Sequence, residues 1–334
     1  MTAALIRSPF HLLHTEAVDA APPAADVLAR VRHGRTLQPC DDPRDVVVEL
    51  DPIGSGPRTE LWLSDTPVEH GRRGAIGYAH NGEVLFCTLR LSEAELGDLH
   101  AATCGAYLEV DELQRALGYP ALLRAWNYLG RINDGDGDAE RYRLFVTGRY
   151  EAIASRPGFE GALPAATAIG TRGDGLLMYF LAAKEGGIQI ENPRQLSAFR
   201  YPRQYGPRSP SFSRATWKAW PGETHLYVSG TASVVGHESI HAHDPVAQLD
   251  EVLRNIDALL DETRSRHALK KKPEAVALKF YLRDAALWEQ LAPRLHEAFG
   301  STTPLYGLEA DICRRDLLLE IEGMFRSKDV GEPG

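Results

Sequence analysis

The chain has 334 residues, of which 43% are hydrophobic and 25% charged, and its formal net charge is -9 at pH 7. This composition is typical of a globular protein large enough for two hydrophobic cores, and the negative charge argues against nucleic acid as a partner. No run of 18 apolar residues predicts a membrane-spanning helix, and the first residues make a poor signal peptide, so we expect a cytoplasmic protein that does not bind membranes. The four cysteines lack CxxC spacing, which argues against a disulfide framework and a structural zinc site.

The first 71 residues are rich in Pro, Asp and Arg and predict only short strands. Two apolar runs, residues 45–50 and 59–64, are separated by the turn-forming sequence IGSGP. We interpret residues 1–71 as an N-terminal extension that carries edge strands.

The next part of the chain, residues 72–187, predicts a first domain. It has a strand at 83–90, helical periodicity at 110–132, a mixed run at 142–150, and two strands within 164–183 around a turn at 172–175.

The remaining residues, 188–334, repeat that order and predict a second domain. A strand at 224–235 precedes a helix that begins with Asp244 as N-cap and Pro245 at its first position. A strand at 274–282, a helix at 285–299 and a hairpin at 308–324 through Arg314 and Arg315 follow.

Strands followed by helices and a closing hairpin are typical of α+β domains, in which helices pack on one face of a sheet. We therefore predict two α+β domains, and we expect a ligand site at the seam between them because pockets favour domain interfaces.

One segment of the second domain is strongly basic. Between residues 193 and 222 the chain has five arginines and one lysine but no Asp or Glu. Aromatic residues are interleaved with them, so planar guanidinium donors and flat walls are available together. The pattern favours a pocket for a small, flat, carboxylated ligand; a solvated basic loop or a nucleic-acid patch is the alternative.

Glu320 is the residue that best suits acid catalysis. The sequence LLLEIEG (residues 317–323) places carboxylates at alternate positions of a hydrophobic strand. If that face lines the domain seam, burial raises the pKa of the Glu320 carboxyl and makes it a general acid; an outward, solvated face is the alternative. The predicted hairpin puts Cys313 on the same face as Glu320, where a buried inert thiol is its commoner role.

Two metal-like motifs have the wrong context. The sequence HESIH (residues 237–241) matches the zinc pattern H-E-x-x-H, but it follows a strand end and precedes the helix start, so no helix brings both imidazoles to one face. The acidic run DGDGD (residues 134–138) opens like a calcium loop but has Ala139 and Phe145 where such a loop needs Gly and Glu. We expect no metal and no cofactor.

Several long motifs resemble the chorismatase family, whose members contain two domains like those of the YjgF/RidA superfamily. They are NYLGRINDGDGDAERYRLFVTGR (127–149), RYPRQYGPRSPSFSRA (200–215), SGTASVVGH (229–237) and ADICRRDLLLEIEG (310–323). The resemblance spans residues 75–325 and implies two YjgF/RidA-like (chorismate-mutase-like) domains, with most of the site in the second.

The resemblance also implies an activity, the cleavage of chorismate to pyruvate and a cyclic acid, with Glu320 as the acid. It places Arg149, Tyr142, Arg203, Tyr205 and Arg208 near the substrate, with Arg203 or Arg149 as the first choice for a carboxylate clamp. Ala232 and Cys313 are implied to influence the product, and Cys313 favours 3- or 4-hydroxybenzoate.

Three alternatives remain open at this stage. A hydrolytic chorismatase would release a dihydroxycyclohexadiene carboxylate. A RidA-like imine or enamine deaminase is less favoured, because the stretches 164–167 and 304–307 lack the carboxylate-binding arginine of those enzymes. A non-catalytic small-molecule sensor would use the basic pocket, but it would not need Glu320 as an acid. We expect a monomer.

Overall fold

The structure, a computed structural model, describes residues 8–156 and 158–328. The first strands of the chain form a four-stranded sheet in the order β1-β5-β2-β3, while β4 leaves it to join another sheet. Their bounds are β1 (His11–Thr15), β2 (Val27–His33), β3 (Asp45–Val48), β4 (Asp51–Ile53) and β5 (Thr59–Leu63). Strands β3 and β5 lie where the sequence predicted strands.

The second sheet has six strands in the order β10-β9-β11-β8-β7-β6, and only β9 and β10 run parallel. Its elements are β6 (Glu69–Arg73), β7 (Ile76–His80), β8 (Val84–Leu91), α1 (Glu93–Leu96), α2 (Leu99–Ala116), β9 (Ala121–Gly130), α3 (Arg141–Ala154), β10 (Ala165–Thr171) and β11 (Leu176–Ala183). Strand β6 straddles residue 71, where we expected the extension to end.

The third sheet has seven strands in the order β12-β13-β14-β19-β17-β18-β4. Its elements, besides β4, are β12 (Ile188–Ile190), β13 (Ala215–Trp220), β14 (Glu223–Ala232), α4 (Pro245–Arg266), β17 (Glu274–Leu282), α5 (Trp288–Phe299), β18 (Leu305–Glu309) and β19 (Leu319–Ser327). A small hairpin, β15 (Val234–Val235) and β16 (Glu238–Ser239), lies between β14 and α4.

The second and third sheets have the same topology. Strands β6, β7, β8, β11, β9 and β10 correspond in order to β12, β13, β14, β19, β17 and β18. In each sheet the last strand inserts between the third strand and the strand after the first long helix, and one parallel pair forms. The predicted α+β fold with a repeated, mixed sheet is therefore confirmed.

In both domains the helices cover one face of the sheet. Helices α2 and α3 share a core with the second sheet, and α4 and α5 share one with the third. The opposite faces meet, together with the N-terminal sheet, in a further core that contains Trp62, Trp126 and Tyr281. We call this core the domain seam. Within the described residues, no helix is both long and apolar enough to cross a membrane.

One sequence expectation about the first domain is wrong, and the structure defines a run that the sequence leaves unassigned. The single helical stretch predicted at 110–132 is the end of α2, a turn and then β9, because Gly118 and Pro120 interrupt the chain and β9 is buried on both faces. The mixed run at 142–150 lies within helix α3.

The predicted closing hairpin at 308–324 is also wrong. Strands β18 and β19 lie on opposite sides of β17, so the chain between them crosses the end of that strand. There it reaches the first domain, where Gly170 and Asp311 exchange two backbone hydrogen bonds of 2.8 and 3.1 Å. This crossing segment, residues 310–318, brings Cys313 to the seam without a hairpin.

Candidate active site

Glu320 faces the domain seam. It is the second residue of β19, and its neighbours Leu319 and Ile321 pack under the helices on the other face. Because side chains alternate along a strand, Glu320 and Glu322 point into the seam, where they are 4% and 2% exposed. The outward, solvated alternative is excluded.

The surroundings of Glu320 favour its protonated form. Burial, followed by the negative charge of Glu322, raises the pKa of the Glu320 carboxyl to about 8, although Arg124 and Arg214 act in the opposite direction. Within the part of the chain that the structure describes, its carboxyl has no hydrogen-bonding side chain. A carboxyl that is desolvated and lacks donors keeps its proton near neutral pH.

Glu322, two residues further along, has the opposite environment. Its carboxylate accepts hydrogen bonds of 2.9 Å from Trp126 Nε1 and from the Tyr281 hydroxyl. It also pairs closely with Arg124 and with the hydroxyl of Thr167. On the same strand face, Glu322 accepts several hydrogen bonds, whereas Glu320 accepts none from the described side chains. Such a difference suits an ionised carboxylate at Glu322 and a proton-bearing carboxyl at Glu320.

Gly230 on β14 makes room for Glu320. A Cβ atom at position 230 would overlap the Glu320 carboxyl, with Oε1 as its nearest atom. Glycine is therefore required here by close approach, not by backbone conformation.

We expect Gly230→Ala to lower the turnover number by about tenfold or more, because a displaced acid loses its alignment with the substrate. The added methyl group meets the end of a side chain rather than backbone, so the free energy of unfolding should change by only about 1–3 kcal/mol. Steady-state kinetics and chemical denaturation measure the two effects. Gly161→Ala is the matched control because the added Cβ would contact nothing. Equal activity of the two variants would contradict the close approach of Gly230 to the Glu320 carboxyl.

Glu320 opens onto a cavity between the two domains. The main cavity has a volume of about 370 Å³, and a smaller lobe of about 50 Å³ adjoins it. Both are lined by a common set of residues: Tyr142, Pro210, Phe212, Gly230, Cys313 and Glu320. This cavity lies at the domain seam, where the sequence predicted a ligand site.

Arg149 on α3 lines the smaller lobe as a buried cation that forms no ion pair with the residues the structure describes. Its side chain is 4% exposed and lies over the Tyr107 ring, with 5.3 Å between Cζ and the ring centroid. Its Nε and Nη2 atoms are buried without a hydrogen-bond partner among the described residues. Because an unpaired buried charge is costly, this arrangement favours binding of an anion from the cavity.

A second arginine, Arg214, lines the main cavity. It is 6% exposed, and its Nη2 donates to the Leu196 carbonyl at 2.7 Å and to the Tyr201 hydroxyl at 2.8 Å. Its Nε is buried without a partner among the described residues. The sequence marked Arg214 only as one of five arginines in the basic segment, and its burial distinguishes it from the others.

Tyr142 and Cys313 meet beside Glu320. Both residues line the two lobes of the cavity with Glu320. Burial, followed by the charge of Glu320, raises the pKa of the Cys313 thiol to about 12. Burial also raises the pKa of Tyr142. Both groups therefore carry protons at neutral pH.

Arg283 holds the crossing segment that carries Cys313. Its guanidinium donates to the carbonyl groups of Leu317, Ile312 and Arg314 at 2.7, 2.8 and 3.0 Å. It also donates to Asn133 Oδ1 of the first domain at 3.0 Å. This anchor fixes the thiol relative to both domains.

Two further predicted residues line the main cavity. Ala232 on β14 is the cross-strand partner of Glu320. The Tyr205 hydroxyl lies 3.1 Å from His237 Nδ1, and the guanidinium of Arg314 stacks on the Tyr205 ring at 4.0 Å. Sequence reasoning did not select Arg314 as a site residue.

The structure does not bring Arg203 and Arg208 to Glu320. The side chain of Arg203 is 64% exposed and pairs with Asp138 through hydrogen bonds of 2.5 and 3.0 Å. Arg208 is exposed and lies over the Tyr150 ring at 4.9 Å. Neither lines the cavity, so of the two arginines proposed as clamp only Arg149 is suitably placed.

The two metal-like motifs lie at the edge of the site. Residues 237–241 include β16 and no helix, and His241 has a positive φ of 59°. The run 134–138 contributes Gly135, Asp136 and Gly137 to the cavity wall. Among the described residues, no group of three or more His, Cys, Asp or Glu side chains is arranged to hold a metal ion.

Comparisons with known proteins find similarity along most of the chain. A family model described as chorismatase FkbO/Hyg5-like, N-terminal, matches residues 60–182. A 3-hydroxybenzoate synthase from Streptomyces hygroscopicus is 40% identical over 279 residues, which cover 80% of this chain and 81% of that protein. A chorismatase from Streptomyces rapamycinicus is 39% identical over 273 residues, 79% of this chain and 81% of that protein. A crystal structure of a chorismatase matches with a TM-score of 0.82 and 34% identity, covering 95% of this chain and 97% of that one.

Proposed function

The chain belongs to the chorismatase family, and we propose that it cleaves chorismate to pyruvate and a hydroxybenzoate. One observation carries this proposal: the buried carboxyl of Glu320 shares a cavity with the guanidinium of Arg149, and neither group has a hydrogen-bonding side-chain partner of its own within residues 8–156 and 158–328. The first group supplies a proton, and the second supplies a counter-charge for a carboxylate.

The cavity suits the substrate in charge and shape. Chorismate has two carboxylates, one on its ring and one on its enol-pyruvyl side chain, and Arg149 and Arg214 offer two separate guanidinium groups. The rings of Tyr142, Tyr205 and Phe212 supply flat walls for the cyclohexadiene.

Catalysis begins with Glu320 as a general acid. It transfers its proton to the terminal methylene carbon of the enol ether, which becomes a methyl group, and an oxocarbenium ion forms at the adjacent carbon. The carboxylate left on Glu320 stabilises that cation in a site with little water. Because few groups near Glu320 stabilise an ionised carboxylate, Glu320 stays protonated until the substrate accepts the proton. The carboxylate and the oxocarbenium ion then form together and attract each other.

The product depends on the fate of the oxocarbenium ion. Breakage of the ring C–O bond releases pyruvate, and neither aromatic product then consumes water. Loss of the proton from the carbon that bears the remaining hydroxyl gives 4-hydroxybenzoate. If that hydroxyl oxygen first attacks the carbon that carried the ether and moves to it, loss of the proton from that carbon gives 3-hydroxybenzoate. Addition of water to the oxocarbenium carbon instead gives a hemiketal that releases pyruvate and a dihydroxycyclohexadiene carboxylate. The Tyr142–Cys313 pair supports the aromatic route because it adds proton-handling groups beside Glu320. The relative named 3-hydroxybenzoate synthase favours the 3-isomer.

The function is tested by incubating the protein with chorismate, measuring pyruvate and identifying the cyclic product by chromatography. We expect equimolar pyruvate and hydroxybenzoate. Absence of pyruvate with folded protein would overturn the proposal, and a dihydroxycyclohexadiene carboxylate as the product would overturn the aromatic route.

We expect the specificity constant kcat/KM for chorismate to fall as the pH rises through about 8, the pKa of Glu320. The protonated carboxyl is the active form, so the rate should be constant well below this pH and decrease about tenfold per unit above it. A pH series of initial rates of pyruvate release measures this limb. A rate that increases with pH across the same range would contradict the assigned protonation state.

We also propose that the chain acts as a monomer in the cytoplasm. Both walls of the cavity come from one chain, and all four cysteines are free thiols. Size-exclusion chromatography with light scattering tests the first point, and a stable dimer or trimer would contradict it.

A further inference from the structure

Behind Glu320 lies a set of polar residues that do not line the main cavity: Arg124 on β9, Thr167 on β10 and Glu322 on β19. They connect the two domains, because β9 and β10 belong to the first and β19 to the second. We propose that Thr167 and Glu322 are positioning residues that hold Glu320 in its proton-bearing form. This inference rests on the proposed function, in which Glu320 is the proton donor.

The hydroxyl of Thr167 forms all the hydrogen bonds it can with groups other than Glu320. It donates to the Glu322 carboxylate and accepts from Arg124 Nη2 at 2.5 Å and from the Gly230 backbone N–H at 3.0 Å. A threonine hydroxyl has one donor and two acceptor positions, so none is left for Glu320.

This orientation places an apolar group beside the acid. The Thr167 methyl carbon Cγ2 lies 3.3 Å from the Cβ position of Gly230, which is the place where the Glu320 carboxyl packs. The Thr167 methyl group, and not its hydroxyl, is therefore directed to the place where the acid packs. Removing a donor disfavours the charged carboxylate.

Glu322 adds a fixed negative charge on the same strand face. Its partners Arg124, Trp126 and Tyr281 hold the carboxylate in place, and Lys279 Nζ lies 3.6 Å from Oε1. Like charges disfavour ionisation of a second carboxyl nearby. The other titratable or charged groups around Glu320 include Arg124 from β9, Arg214 before β13, Tyr142 and Arg149 from α3, and Cys313 and Arg314 from the crossing segment.

A purely structural role for this cluster makes a different prediction. If Thr167 and Glu322 only join the domains, their replacement lowers activity equally at every pH. If they hold the proton on Glu320, replacement moves the descending limb of the pH–rate profile. The midpoint of that limb does not depend on the amount of active protein.

The experiment measures pyruvate release from chorismate by two variants. A range of about pH 5 to about pH 10 covers the descending limb of the pH–rate profile on both sides. In Glu322→Gln the charge is lost while the amide oxygen still accepts from Trp126 and Tyr281. In Thr167→Ser the hydroxyl keeps its partners, and loss of the methyl group leaves space beside Glu320 for water, which donates to the carboxylate. We expect the midpoint to move to lower pH by about half a unit or more in each. Glu274→Gln, an exposed carboxylate on β17, is the matched control and should leave the midpoint in place.

An unchanged midpoint in folded Glu322→Gln would overturn the proposal. If that variant fails to fold because Arg124 loses its counter-charge, Thr167→Ser decides, since it keeps every hydrogen bond of the cluster. An unchanged midpoint there overturns the proposal. Failure of the proposed function is distinguishable, because the unmodified protein would then release no pyruvate at any pH.

Discussion

Glu320→Gln is expected to lower the turnover number for pyruvate release by about 10²–10⁴-fold, the usual contribution of a positioned general acid. Glutamine keeps the size of the side chain but has no acidic proton to give to the methylene carbon. The loss should appear in kcat, whereas the affinity for a benzoate analogue should stay nearly unchanged. Initial rates and isothermal titration calorimetry measure the two quantities.

The matched control for this change is Glu274→Gln, which removes an exposed carboxylate from the neighbouring strand. It should leave kcat within about twofold, as surface substitutions usually do. Turnover by Glu320→Gln comparable to that of the control would remove Glu320 from its role as the acid.

Arg149→Met is expected to lower kcat/KM for chorismate by roughly 30-fold or more, because loss of one partner from a buried charge pair costs about 2–5 kcal/mol. The same variant should be at least as stable as the unmodified protein when no ligand is present. The guanidinium is buried and has no counter-charge in the described part of the chain, so its removal relieves a desolvation cost. Chemical denaturation measures this second effect.

Arg208→Met is the control for Arg149→Met, since Arg208 is exposed and outside the cavity wall. Its kcat/KM should change by about twofold or less. If Arg149→Met retains the same specificity constant as Arg208→Met, Arg149 does not bind the substrate. If it is much less stable than the unmodified protein, its guanidinium has an internal partner after all.

The sequence predicted the repeated architecture well where local signals are strong. Asp244 accepts a hydrogen bond from the Ala247 N–H and Pro245 begins α4, as the capping pattern indicated. Strands at 83–90 and 274–282 match β8 and β17 closely. Strand pairing was harder, because β18 and β19 are successive in the chain but separated by β17. A turn-forming sequence such as Arg314-Arg315 does not reveal whether the chain returns beside itself or crosses another strand.

The candidate site was predicted in part. The alternation of Glu320 and Glu322 with apolar residues correctly indicated an acidic strand face, and the structure shows that this face is buried. Periodicity does not tell which carboxyl has donors, because Trp126 and Thr167 come from the other domain. The arginines were equally ambiguous: Arg203 and Arg214 lie in the same basic segment, but only Arg214 is buried. Burial depends on tertiary contacts that residue type does not encode.

The repeated topology has a consequence for how the work of catalysis is divided. In the second domain Tyr281 lies opposite Glu320, and at the corresponding place in the first domain Tyr128 lies opposite Leu177. Leu177 is packed in the apolar part of the seam, so only one of two equivalent scaffolds carries an acid. The other scaffold contributes Arg149 through its helix α3. The proposed proton donor and the proposed substrate-binding cation therefore come from different copies of one topology, and the reaction requires both copies.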